Sequence, residues 1–404
     1  MMAPEFDQTL RRWYVGQLIV LMVAVMVRLL ITNQGMAFPG GGMVMIIWFL
    51  NALWPAIDAD QHDWRRLRHF NYYVQTVLLF TLMPIMVANL INLVCQATTL
   101  DEQGLIAVGM AYLVVAFVPV GYVVTAKIQS VVGRIAVLIS AIFSGLIGAQ
   151  PTLFALPLLN VPATFSMVSD AGILGAVGFV ITVGVLMVAW GFRLPAWRLN
   201  RRASRGLVGL IIIVGVVFSL WNAFSDGATW ATTFTRWNFQ LKNATWKMFL
   251  SGLEPGIAEE WLYRYAVLTI LLTAFRHSRF QLLWSVGLSG GLFGLWHFTN
   301  VLAGQSWQAT GEQMIFAATL GWFLAVVYLY TGSITASMAI HAAIDILSMM
   351  ASGSQTMTVP DAFEWQTIGL TVVVFVALTI FFLTGRRRRV MQAYVDQRLL
   401  RSLD

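Results

Sequence analysis

The chain has 404 residues, of which 58% are hydrophobic and 11% charged, with a formal net charge of +7 and a mean hydropathy of +0.75. Soluble domains carry roughly a quarter charged residues, so the composition excludes a soluble fold and describes a polytopic membrane protein. The basic residues fall in short clusters between apolar runs instead of forming a face with interleaved aromatics, which argues against nucleic acid and leaves the lipid bilayer as the surrounding partner.

Runs long enough to cross roughly 30 Å of hydrocarbon as helices lie near 13–32, 37–57, 73–95, 104–126, 133–156 and 171–192. A second set lies near 206–222, 256–275, 282–302, 313–331, 333–351 and 366–385. The expected fold is therefore all-α, with about twelve transmembrane helices. Arg11 and Arg12 precede the first run, which continues past Arg28 without a small-residue cleavage site and reads as an uncleaved span. Arg28 reads as snorkelling to the interface. Pro39 to Gly42 reads as a helix start or kink, because no P-loop lysine follows. His62 and His69 sit among loop charges and read as solvated, and His277 lies in a basic turn expected to be cytoplasmic. Cys95 is alone, so neither an intramolecular disulfide nor a cysteine metal cluster can form.

Short cytoplasmic loops carry excess Lys and Arg. Arg65, Arg66 and Arg68 follow span two, Lys127 and Arg134 flank the turn between spans four and five, and Arg193, Arg198, Arg201, Arg202 and Arg205 follow span six. Arg276 and Arg279 follow span eight, and Arg386 to Arg389 follow span twelve. Most intervening connections are acidic or neutral, which predicts a plasma-membrane protein with both termini cytoplasmic. One segment breaks the alternation. Residues 223–255 lie on the expected outer side yet hold Arg236, Lys242 and Lys247 among Trp230, Trp237 and Trp246. An interfacial amphipathic helix suits this mixture; an extra crossing or re-entrant helix is the alternative and would turn over the rest of the chain. The polar run Leu194 to Arg205, with Pro195, marks the expected boundary between a six-span region (1–205) without assigned role and a helical bundle (206–385), followed by a basic cytoplasmic tail (386–404). No repeat relates the halves, which weakens an inverted-repeat transport architecture.

The second half carries ionisable groups where each costs about 2.5–3.5 kcal/mol to insert at a helix centre. Glu260 and Arg264 are four apart, share a helix face and can pair. Glu259 then points about 100° away, free to serve as a general base; alternatively, both acids follow Pro255 simply because carboxylates suit a helix N-terminus. Gly290, Gly294 and His297 share a face at which small residues let backbones approach, placing His297 in a tight interface beside Phe293, as a functional group or as a structural histidine bonded to a carbonyl. Ser337, His341, Asp345 and Ser348 form a polar stripe, in which Asp345 orients His341 or the whole stripe glues helices together. HExxH, GxSxG and P-loop patterns are absent.

Glu-Glu-x-x-x-Arg at 259–264, Phe-x-x-x-His at 293–297 and His-x-x-x-Asp at 341–345, in this order on neighbouring spans, resemble the three motifs of the CAAX protease and bacteriocin-processing family of intramembrane glutamate-type endopeptidases. The resemblance covers roughly 206–385, and the first six spans are outside it. It implies that Glu259 with His297 activates water, that Glu260 and Arg264 support the site, and that His341 with Asp345 stabilises the oxyanion. An anionic Asp345 would repel that oxyanion, so it is expected to be protonated or to act by orienting His341. Tyr265 stands where family members often have glycine. The family looks metal-independent, so no cofactor is expected, although two histidines and a carboxylate could ligate Zn²⁺. A peptide or membrane-protein substrate is implied, and prenylated substrates are not expected. Charge places Glu259, Glu260 and His297 toward the outer leaflet, whereas CAAX processing in the family looks cytosol-facing. A catalytically silent scaffold and an ion- or proton-coupled transporter are the competing functions.

Overall fold

The computed structural model describes residues 4–32, 41–57, 65–148 and 161–399. His62, Pro39 and Gly40 lie outside the described residues. The described chain is helical, with a single isolated β-bridge between Ser225 and Trp237. It divides into two compact units, Met1–Gly191 and Phe192–Asp404.

The first unit contains α1 (Pro4–Thr32), α2 (Gly41–Leu53), α3 (Arg65–Ala97), α4 (Glu102–Ala116), α5 (Val118–Val123), α6 (Val131–Gly148), α7 (Ala163–Asp170) and α8 (Ile173–Ala189). The guanidinium of Arg28 on α1 donates to Asn89 Oδ1 on α3. His69 is exposed, edge-on to Tyr72 and Tyr73.

The second unit contains α9 (Arg205–Phe224), α10 (Trp246–Glu260), a π-helical stretch Trp261–Val267 and α11 (Leu268–Ala274), these last three forming one continuous helix. There follow α12 (Gln281–Trp296) with a 3₁₀ turn His297–Val301, then α13 (Trp307–Thr331), α14 (Ile334–Ser352), α15 (Ala362–Phe382) and α16 (Gly385–Tyr394). Gly332 and Gly353, at φ 68° and 73°, end α13 and α14 in the left-handed conformation that glycine adopts without penalty. A capping box starts α15: Asp361 Oδ1 accepts from Phe363 N and Glu364 N, and Glu364 Oε2 accepts from Asp361 N.

Across both units, seven helices among the described residues are long and apolar enough to cross a membrane, or eight if α7 and α8, bent by 52°, count as one span. The protein is an all-α, multi-pass membrane protein. The other sequence runs correspond to shorter helices, such as α2 and α12, or to the charge-bearing helix that begins with α10.

Two expectations change in the second unit. Residues 225–245 form no interfacial helix and insert no extra crossing. Thr229 and Thr232 bond each other and nearby backbone, and Thr235 Oγ1 donates to Ala231 O, local bonds that compete with a regular helix. The helix carrying the two glutamates starts ten residues earlier than its apolar pattern suggests, capped by Thr245 Oγ1 accepting from Met248 N, and Pro255 lies inside it. Glu259 and Glu260 therefore sit near the middle of a long helix, and attraction to a helix N-terminus does not account for them.

The polar run after Phe192 packs within the second unit: Asn200 N donates to Thr331 O (2.6 Å), Ile334 N to Ala196 O (3.1 Å) and Ser204 N to the Tyr330 hydroxyl (3.0 Å). The chain beyond 386 begins as a docked helix. Met391, Tyr394 and Val395 are buried, and Gln392 Nε2 donates to Gln281 Oε1 at 2.9 Å.

Candidate active site

Gly252 and Gly256 are four apart on α10, and each faces α14 at backbone contact. A Cβ on Gly252 would lie 2.6 Å from Ile346 Cα, and one on Gly256 2.8 Å from Ala342 N. This is the small-residue spacing that lets helices touch where no hydrophobic effect drives them together. It brings the glutamates one turn further along α10 against His341. Gly256→Val is expected to cost about 1–3 kcal/mol by overpacking, read as a lower unfolding midpoint in detergent. Gly287→Ala on α12, where a Cβ meets nothing within 4 Å, should leave the midpoint unchanged; equal effects would mean that the contact does not set the helix spacing.

Past Glu260 the helix widens into the π stretch, a local feature found often at functional sites. Arg264, within it, places Nη2 3.0 Å from Glu260 Oε1, with both side chains wholly buried. Its guanidinium carbon lies 4.2 Å from the Phe293 ring centroid, a cation–π contact. The expected Glu260–Arg264 pairing is thus formed.

His341 occupies the space between the two glutamates. Its Nδ1 is 2.8 Å from Glu260 Oε1, and its Nε2 faces Asp345 Oδ2 at 3.3 Å and Glu259 Oε2 at 3.8 Å. Both ring nitrogens face carboxylate oxygens, so the ring donates to both sides only as the two-proton imidazolium. Glu259 and Glu260 therefore do not look into unrelated environments; they converge on one imidazole from opposite nitrogens. The tight α10–α14 approach at Gly252 and Gly256 brings them there. Ser337 donates to Ile334 O of its own helix at 3.0 Å and also engages Glu260 on α10 through its side chain, so the polar stripe bonds α14 to α10.

His297 is the first residue beyond α12. Its Nδ1 meets Phe293 O at 2.9 Å, and donation there leaves Nε2 as the accepting nitrogen. Gly290 and Gly294 pack on α13: a Cβ on Gly294 would lie 2.6 Å from Met314 O, and one on Gly290 2.8 Å from Trp322 N. His297 itself is half-buried just past that interface. Phe293 joins the parts, with its ring 5.0 Å from His297, 5.6 Å from His341 and 5.1 Å from Tyr263. Glu259 is within electrostatic reach of His297, His341, Asp345 and Arg264. All six residues expected from the sequence thus belong to one neighbourhood.

Glu254 was not among them. Its Oε1 is buried without a hydrogen-bond partner, and the side chain lies within electrostatic reach of Glu259, Asp345 and His341. The signal was its place beside the Gly252–Gly256 pair, obscured by reading 223–255 as a connection holding an interfacial helix. Among the described residues no group of three His, Cys, Asp or Glu side chains is arranged to hold a metal ion. Nδ1 of His297 and both ring nitrogens of His341 face protein acceptors.

Fold and site together define a multi-pass helical membrane protein with a sequestered cluster of carboxylates, imidazoles and one guanidinium. Residues 241–347 match the family described as Type II CAAX prenyl endopeptidase Rce1-like, which supports the resemblance to the CAAX protease and bacteriocin-processing family that the motifs carry. The match runs from the start of the glutamate helix into α14 and includes all six site residues; it leaves the first unit outside. No curated protein and no solved structure matches the chain.

Proposed function

We propose that the protein is an intramembrane endopeptidase that hydrolyses a peptide bond with a glutamate-activated water, in peptide maturation, bacteriocin immunity or membrane-protein processing. The observation that carries the reading is the convergence of Glu259, Glu260 and Asp345 on His341, with His297 alongside, in a segment that matches a protease family. Glu259, aided by Nε2 of His297, takes a proton from water as its oxygen attacks the peptide carbonyl carbon. The carbonyl oxygen becomes anionic and accepts a hydrogen bond from Nε2–H of His341, whose other nitrogen is held by Glu260. Glu259 then returns the proton to the amide nitrogen as the C–N bond breaks, leaving a carboxylic acid and an amine. Asp345 orients the imidazole, and Arg264 fixes Glu260.

Detergent-purified full-length protein incubated with a peptide library tests this. Cleavage is expected, to be lost in His297→Ala and retained with a chelator present. Loss with chelator alone would replace the metal-free step. Proton flux in proteoliposomes without any cleavage would replace the peptidase by a transporter.

A further inference from the structure

The second unit has two chemically different ends. The connections 193–205, 275–280 and 383–389 carry eleven arginines and no acidic residue. They meet at one end of the bundle, where Arg388 Nη2 donates to Arg279 O at 2.7 Å and the run after Phe192 bonds the end of α13. At the other end lie residues 225–245, 302–306 and 353–361. Asn243 N donates to Met350 O, Met357 N to Gln305 Oε1 and Trp230 Nε1 to Gln366 Oε1. This end balances Arg236, Lys242 and Lys247 against Asp226, Asp361 and Glu364, and it exposes Trp230, Trp237 and Trp246.

The site opens toward one of these ends. Side-chain exposure is 0% for Arg264 and Glu260, 4% for His341, 12% for Glu259 and 25% for Asp345. On the arginine side the cluster is sealed by Leu262, Tyr263, Ala266 and Val267, none of them exposed. Along α14, Asp345 lies beyond His341 in the direction of Ser352, away from the arginines. His297, at the far end of α12, lies beyond Phe293 in the same direction. Because α10 follows α9 without an intervening helix, no crossing inverts this order.

Arginine-rich short loops stay on the cytoplasmic side. Resting on the peptidase reading above, we infer that the site is entered from the non-cytoplasmic face, and that its substrate is an extended peptide segment already carried across the membrane. Strands of peptide still in the cytoplasm meet only the sealed, arginine-bearing end. The polar chain at the open end, where Gln355 Nε2 donates to Ser251 Oγ at 2.7 Å two turns before Glu259 on the same helix, provides acceptors and donors for a peptide backbone at the mouth.

The test uses the full chain with Cys95→Ser and single cysteines introduced at Thr358, Asp345 or His277, labelled with a membrane-impermeant thiol reagent in sealed vesicles of each orientation. Thr358→Cys and Asp345→Cys are expected to react in right-side-out vesicles and to lose that labelling in inverted ones, with His277→Cys behaving in the opposite way. Labelling of Asp345→Cys only from the His277 side overturns the inference, and if that variant fails to fold, reversed labelling of Thr358→Cys does the same. Cleavage of an added peptide only by inverted vesicles also overturns it, while leaving the peptidase reading intact. The expected labelling pattern without cleavage by either vesicle type upholds the side of access and removes the peptidase.

Discussion

Glu259→Ala is expected to lower turnover of a cleaved peptide by about 10²–10⁴-fold, the range over which a positioned general base contributes, while leaving the fold intact. Glu259 is the carboxylate of the pair that is not locked to a guanidinium: its ion-pair contact is with His341 Nε2 at 3.8 Å, and its side chain keeps 12% exposure. Removing it leaves the Glu260–Arg264 pair and the Glu260–His341 bond in place. The loss should appear in kcat, with KM little changed, because the proton is taken only as the water attacks. Glu259→Gln, which keeps the shape but cannot accept the proton, should fall equally. Retained turnover in either variant, with an unchanged unfolding midpoint, would remove Glu259 from the chemistry.

Arg264→Met should act on the fold before the reaction. The guanidinium and the Glu260 carboxylate are both fully buried at 3.0 Å, and taking away one member of such a pair strands the other in a low-dielectric interior, at a cost of about 3–5 kcal/mol. The cation–π contact with Phe293 is lost as well. Arg264→Lys should restore little, since an ammonium neither spreads over the Phe293 face nor offers a planar fork. The double variant Glu260→Gln with Arg264→Met should be less destabilised than the two single effects summed, as measured by chemical unfolding in detergent. Strict additivity would show that the pair is not coupled.

These outcomes differ in how visible they were in the sequence. The Glu260–Arg264 pairing follows from a four-residue spacing on a helix, and the structure forms it. The placement of His341 between two glutamates did not follow, because it depends on how closely α14 approaches α10. That approach is permitted by Gly252 and Gly256, whose spacing is ordinary in a glycine-rich membrane chain until the facing backbone is known. Glu254 was missed for a related reason: its helix begins at Trp246, inside a stretch whose tryptophans and basic residues conceal a helical start. Residues 225–245 were misjudged because their aromatic and basic content suits an interfacial helix, whereas their threonines spend hydrogen bonds on local turns.

By itself the sequence determined the solvent, the class of fold and the inventory of reactive groups. Apolar runs of spanning length admit only helices in a bilayer, since each buried backbone group must be satisfied within its own segment, and the rarity of charge made the motif residues conspicuous. Tertiary structure alone decided which groups meet and which of them remain partly exposed. Contacts at 2.8–3.8 Å around His341 depend on helix separation, and the exposure gradient from Arg264 to Asp345 depends on which end of the bundle the aromatic core fills. Neither quantity is encoded in periodicity, because both arise from the packing of residues distant in the chain.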